Sequence, residues 1–175
     1  MELPGETFLF NLSLAAITFS AVSALVTLLR QAMGGKLSNF DVFLLAAYMS
    51  DGFALMISSV LPPLIAQSGL PLPWIWSIAS FLAAAILGAQ LANIMRLRRV
   101  ATKVPMPSTT KASLTIHWFV VFLLLANASV PAIRGIFVFE ASLTVYLATA
   151  MWVFVRRVAS LQSDRSSDDW DPKRG

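Results

Sequence analysis

Residues 40–66 read FDVFLLAAYMSDGFALMISSVLPPLIA, an apolar run that places one acid, Asp51, near its middle. A helix needs roughly 20 such residues to cross about 30 Å of hydrocarbon, and this run is long enough. A carboxylate at bilayer depth costs about 2.5 to 3.5 kcal/mol on insertion scales, so such residues are rare and usually face protein or water. Asp51 is therefore the first candidate for a functional residue.

The composition of the whole chain agrees with this membrane interpretation. Hydrophobic residues make up 57% of the sequence and charged residues only 13%, whereas soluble domains contain about 25% charged residues. The mean hydropathy is +0.73 and the isoelectric point is about 10. Because the basic residues stand at the ends of apolar runs, we interpret the positive charge as a signal of membrane topology and expect no nucleic-acid partner.

The sequence offers little for cofactor chemistry or catalysis. It contains no cysteine and one histidine, which excludes disulfides, thiolate metal sites, iron–sulfur clusters and a bis-histidine haem from this chain alone. Phosphate-binding loops, zinc-binding helices, nucleophile elbows and paired carboxylates are also missing from the sequence. We therefore expect no cofactor, metal site or catalytic residue, and an enzyme is the least favoured class.

The apolar runs predict an all-α integral membrane protein with a five-helix transmembrane bundle in residues 1–159. The five spans are predicted at residues 8–29, 41–61, 74–95, 112–130 and 136–155. Two consecutive prolines cannot continue a regular helix ladder, so we expect the second span to end at Pro62-Pro63. Residues 160–175 are polar and rich in both signs of charge, which predicts a disordered cytoplasmic tail.

The distribution of basic residues predicts the orientation. With the N-terminus outside and the C-terminus in the cytoplasm, twelve of the thirteen basic residues lie on the cytoplasmic side and only Arg134 faces out. This asymmetry follows the positive-inside rule. We expect the protein in the plasma membrane, specifically a bacterial inner membrane.

The polar residues near the middle of the spans suggest a proton path. At about 1.5 Å per residue, Asp51 lies close to the midplane and Tyr48 lies one turn below it on the same face. His117 and Gln90 fall at a similar, lower depth on two other spans. Hydrogen-bonded acid, phenol and imidazole groups at graded depth are what a proton relay needs.

A structural role is the alternative for these same residues. Asp51 would then be hydrogen-bonded to serines of the first span, Ser20 or Ser23, and would hold the bundle together. His117 stands beside Trp118 near the predicted cytoplasmic interface, where such residues commonly serve as interfacial anchors.

Two further patterns predict surfaces for packing and for lipid. Small residues recur every fourth position on the third span and favour close helix crossing, namely Ser80, Ala84, Gly88 and Ala92. The basic link that follows should attract anionic lipid headgroups on the cytoplasmic side through Arg96, Arg98, Arg99, Lys103 and Lys111.

Two functions therefore remain open. The protein is either a channel or transporter for protons, ions or a small solute, or a subunit of one, in which Asp51 faces a polar path and oligomerisation supplies room for that path. Alternatively it is a non-transporting accessory or assembly protein that binds a partner helix or anionic lipid through its ridge of small residues and its basic link.

Overall fold

The computed structural model describes residues 3–32, 39–101 and 108–168. Within these ranges the chain is helical, with no strand, and each helix contains a stretch long and apolar enough to cross a membrane. The helices are α1 (Glu6–Ala32), α2 (Asn39–Ala66), α3 (Leu72–Ala101), α4 (Ser108–Ser129) and α5 (Ile136–Asp168). The prediction of an all-α bundle with five helices that can span a membrane is confirmed. The side of the membrane on which each terminus lies stays a prediction.

The helices pack mainly on their neighbours in sequence. Each of α1 to α4 contacts the next helix along the chain, and α5 also contacts α1, α2 and α3. Among the described residues, α2 and α4 make no contact with each other. A gap between these two helices is therefore bounded by α3 on one side and by α5 on the other.

The end of α2 differs from the prediction. The helix continues through Pro62 and Pro63 to Ala66, so the expectation that the prolines would end it is wrong. Proline has a φ angle that suits a helix, although in a helix interior it loses one hydrogen bond and its ring crowds the carbonyl of the preceding turn. A membrane span tolerates this cost because the other backbone groups have no water to bond in the hydrocarbon and stay paired within the helix. The helix ends instead at a turn in which Gly69 adopts a φ of +74°.

The helices also extend beyond the predicted spans at the basic end. The third helix runs to Ala101, past the arginines at positions 96, 98 and 99. The fifth runs to Asp168, so residues 160–168 are helical where a disordered tail is predicted; residues 169–175 lie outside the described part of the chain. Adding a residue to an existing helix is far easier than nucleating a new one, which explains why polar sequence continues it.

The interior is mainly apolar, with small hydroxyl residues and a few larger polar side chains buried among the apolar ones. Fully buried side chains include Tyr146, Phe139, Leu55, Leu87 and Leu124. Large apolar side chains also cover the outside of the bundle, as expected for a surface that meets lipid, and Phe137 is 79% exposed.

Asn127 fixes the tight turn between α4 and α5. Its Nδ2 donates to Ser80 Oγ at 2.7 Å and to the Gly135 carbonyl at 3.3 Å, while the Gly135 N–H donates to its Oδ1 at 2.9 Å. One buried amide therefore joins α3, the end of α4 and the start of α5.

Candidate functional site

Asp51 lies inside the bundle where α2, α3 and α5 meet. Its side chain is 8% exposed, and the Tyr146 hydroxyl on α5 donates a hydrogen bond of 3.2 Å to its Oδ1. The Gln90 amide on α3 approaches the same carboxyl, although its buried Nε2 does not reach hydrogen-bond geometry with any described partner. The carboxyl is thus held mainly by a phenol from the fifth helix.

The sequence-based expectation missed Tyr146. It is one of only two tyrosines in the chain, and it stands ten residues before Arg156, in the middle of the fifth predicted span. A phenol at that depth usually needs a hydrogen-bond partner, and Asp51 lies at the matching depth of its own span. A tyrosine and an aspartate at the same depth of two different spans are therefore the feature of the sequence that could have predicted this hydrogen bond.

Neither serine of α1 binds Asp51, contrary to the structural alternative. Ser20 Oγ donates to the Ala16 carbonyl at 3.2 Å and approaches the Met49 carbonyl at 3.5 Å, and Ser23 Oγ donates to the Phe19 carbonyl at 2.8 Å. A serine in a helix always has the carbonyl of the preceding turn within reach, and this local bond takes the hydroxyl.

Gly52, the residue after Asp51, lets α1 approach α2 very closely. A Cβ atom at Gly52 would overlap the Ser20 hydroxyl and would lie 2.7 Å from the Ala16 carbonyl oxygen. The crossing of α1 and α2 therefore presses Ser20 against the backbone of α2 and covers the side of that helix next to Asp51.

Tyr48 lies one turn from Asp51, as predicted, and is buried. Its ring packs edge-on against Phe19 and Phe154, with centroid distances of 5.9 Å and 5.3 Å. These contacts anchor the ring between α1 and α5.

His117 lies next to the Asp51–Tyr146 pair. Its side chain is 5% exposed and its ring packs edge-on against Tyr146, with centroids 4.1 Å apart. Its Nδ1 lies 2.7 Å from the Ser113 carbonyl oxygen; since a carbonyl only accepts, this contact assigns the proton of the neutral ring to Nδ1. Its Nε2 is buried without a hydrogen-bond partner among the described residues. A buried imidazole in this position is not an interfacial anchor.

A cavity of about 460 Å³ connects these residues with the basic end of the bundle. It fills the gap between α2 and α4. Its deep end is lined by Asp51, Tyr48 and His117, and its rim by Arg98, Arg156, Thr109 and Thr110. The walls between the two ends are mainly apolar, with Ser113 as a polar exception. Phe43 and Asp51 stand eight residues apart on α2, which makes the cavity about 12 Å long.

The structure thus brings together three of the five predicted path residues in one cavity, Asp51, Tyr48 and His117. Gln90 approaches Asp51 from α3 without a hydrogen bond, and Ser20 faces the backbone of α2 instead. These contacts do not test proton movement, which stays a prediction.

The ridge of small residues packs inside the protein. Ser80 and Ala84 are buried, Gly88 is half-buried with Val121 of α4 beside it, and Ala92 is exposed. Three of the four residues thus belong to the packing of α3, which faces α4 at Ser80 and Gly88.

The predicted headgroup residues divide into two groups. Arg96, Arg99 and Lys111 are exposed, whereas Arg98 is half-buried and lines the cavity; Lys103 lies outside the described residues. Arg156 is one of the twelve basic residues whose distribution predicts the cytoplasmic side. It lies at the cavity rim with its guanidinium 5.0 Å from the centre of the Trp152 ring.

No group of three or more histidine, aspartate or glutamate side chains in the described part of the chain is arranged to hold a metal ion. Comparisons with protein families, with curated proteins and with solved structures found no match for this chain.

Proposed function

We propose that the protein is a small proton-linked transporter, in which Asp51 takes up and releases the proton and the cavity holds a small solute. The observation that carries this proposal is the cavity itself, because it joins a buried carboxyl, phenol and imidazole to a basic rim. Its volume of about 460 Å³ falls within the roughly 300 to 1,000 Å³ usual for small-molecule sites.

The contacts around Asp51 favour a role for this carboxyl in taking up and releasing a proton. The Tyr146 hydroxyl bonds the carboxyl, and His117 packs on the ring of that tyrosine. A charged carboxyl is costly at this depth, so proton uptake and release at Asp51 depend on whether water or solute occupies the cavity. This dependence is the physical link between the proton and the solute.

The proposal includes the orientation and the membrane. The membrane in this proposal is a bacterial inner membrane. With the N-terminus outside, the rim formed by Arg98 and Arg156 opens towards the cytoplasm. A site open to one side is expected for one state of a transporter that alternates its access. The cavity lies within a single chain, so a homo-oligomer is needed only to complete the outer half of the path.

The accessory function has less support. Binding of a partner helix would use the small-residue ridge of α3, but Ser80, Ala84 and Gly88 already pack within the bundle. The exposed arginines of the basic end still favour anionic lipid around the protein.

Proton flux in proteoliposomes tests the proposal. Vesicles that contain the protein and a trapped pH dye should conduct protons faster than protein-free vesicles under an imposed gradient. Asp51→Asn should reduce the flux to the protein-free level, because the amide cannot exchange a proton. Glu140→Gln is the matched control, since Glu140 lies in a span but does not line the cavity, and it should retain the flux.

Equal flux in the wild type and in Asp51→Asn would overturn the proposal, as would a wild type no faster than protein-free vesicles. Loss of flux in both variants would show that the effect is not specific to Asp51.

A further inference from the structure

We infer that the cavity between α2 and α4 binds a single-chain amphiphilic anion, with the anionic group at Arg98 and Arg156 and the apolar chain directed towards Asp51. The inference that this molecule is transported rests on the proposed function. The inference that it binds does not rest on the proposed function, because binding can be measured without transport.

The rim of the cavity is suited to a negative charge. Arg98 and Arg156 line it from α3 and α5, and Thr109 and Thr110 line it from the first turn of α4. The N-terminal end of a helix carries partial positive charge and free N–H groups, which adds to the attraction of the two guanidinium groups. The carboxyl group of Asp51 lines the opposite end of the cavity.

The walls of the cavity are suited to an apolar chain. Every helix that lines the cavity contributes to them, through Phe43, Ala47, Leu91, Ile94, Leu114, Ala150, Trp152 and Val153. An ion or a small sugar would leave this surface without a partner, whereas a hydrocarbon chain covers it and gains about 25 cal/mol for each Å² removed from water.

The size of the cavity limits the molecule to one short chain. At about 30 Å³ for each water-sized group, 460 Å³ accommodates roughly fifteen such groups. A head group with a chain of roughly ten carbons fits this volume, whereas a whole two-chain phospholipid does not.

The deep end of the cavity fixes the direction of binding. The Tyr146 hydroxyl already donates to Asp51, and the Nε2 of His117 is buried. An anionic group placed there would meet the acceptor oxygens of Asp51, whereas the rim carries the guanidinium groups of Arg98 and Arg156. The anionic group therefore belongs at the rim.

Binding of decane-1-sulfonate tests the inference. This probe stays ionised at all relevant pH values, so it does not carry protons across the membrane by itself. The protein in phosphatidylcholine nanodiscs should bind the labelled probe saturably, with one site per chain, after subtraction of partition into empty nanodiscs. Decyltrimethylammonium, with the same chain and the opposite charge, should not compete for this site.

Variants at the rim and in the wall test the position of the probe. Arg98→Gln and Arg156→Gln should each weaken binding by about tenfold, which corresponds to about 1.4 kcal/mol. Arg99→Gln is the matched control, because Arg99 is exposed and does not line the cavity, and it should bind as the wild type does. Ala47→Phe should block binding by filling the cavity, provided that the variant elutes as the wild type does in gel filtration.

Three results would overturn the inference. They are absence of saturable binding, equal losses in the Arg98 and Arg99 variants, and full competition by the cationic probe. Loss of sulfonate binding when phosphatidylglycerol replaces phosphatidylcholine would assign the site to a membrane lipid and would also contradict a single-chain ligand. If the probe fails to bind while Asp51-dependent proton flux persists, the inference fails and the proposed function stands. If the probe binds and no proton flux is found, the proposed function fails and the inference stands.

Discussion

At the scale of single residues, the hydrogen bond from Tyr146 to Asp51 decides how the buried carboxyl is held. It joins α2 to α5 across the interior, between residues that are 95 positions apart in the chain. Interhelical hydrogen bonds in membrane proteins contribute about 0.6 kcal/mol on average and up to about 1.7 kcal/mol. The bond therefore adds modest stability, and its main effect is to fix the carboxyl beside the cavity.

A double-mutant cycle on this pair should give a favourable coupling free energy. We expect Tyr146→Phe and Asp51→Leu to couple by about 0.6 to 1.7 kcal/mol, because either change removes the same hydrogen bond. Unfolding in mixed micelles by added dodecyl sulfate measures the free energy of each variant. A coupling energy of zero within error would mean that the two side chains do not interact in the folded protein.

At the scale of helices, close approach at one glycine positions α1 against α2. Gly52→Ala should lower the free energy of unfolding by about 1 to 3 kcal/mol, because the new Cβ meets the backbone oxygen of Ala16 and α1 must move away. The same mixed-micelle unfolding measures this change.

Gly88→Ala is the matched control for that change. A Cβ at Gly88 would lie 3.5 Å from the Val121 Cγ1, an ordinary contact, so alanine should be tolerated or stabilise the helix by up to about 1 kcal/mol. Equal destabilisation by the two alanines would show that the α1–α2 crossing is not tight at Gly52.

The α4–α5 turn depends on one amide. Asn127→Ala should destabilise the protein by about 1 to 3 kcal/mol, because it leaves Ser80 and Gly135 without their hydrogen bonds to this side chain. Asn93→Ala, at an exposed position of α3, should change the thermal unfolding temperature little. If the two variants melt alike, the amide at position 127 does not hold the turn.

At the scale of the whole molecule, sequence predicts the number of helices well and their mutual rotation poorly. Each of the five apolar runs is about as long as the hydrocarbon core of a bilayer is thick, which is a strong local signal. The neighbours of Asp51 depend on which face of α5 turns inward, and an almost uniformly apolar helix carries little information about that. The sequence therefore does not predict Tyr146 as the hydrogen-bond partner of Asp51. It predicts Ser20 in that place, whereas Ser20 contacts backbone carbonyl oxygens.

The two arginines of the rim illustrate the same limit. Arg98 and Arg99 are adjacent in sequence and equal in charge, yet only Arg98 lines the cavity. Two successive side chains on a helix point in directions about 100° apart, so only one of these two arginines can face the cavity. Their identical charge does not show which one it is.

The orientation of the bundle can be measured with single cysteines, since the chain has none of its own. Ser68→Cys in the α2–α3 turn should react with a membrane-impermeant maleimide in intact cells. Ser108→Cys, at the start of α4, should react only after the cells are opened. The reverse pattern would place the basic end outside.

The central claim is that a water-accessible cavity leads from the basic end of the bundle to Asp51. Ala47 lines this cavity, whereas its neighbour Ala46, at almost the same depth of α2, is exposed on the outer surface of the bundle. A charged methanethiosulfonate reagent reacts with the thiolate, which forms only where water reaches the sulfur. Applied from the basic side, it should modify Ala47→Cys at least about tenfold faster than Ala46→Cys. Equal rates for the two cysteines, or faster reaction of Ala47→Cys from the opposite side, would contradict the account.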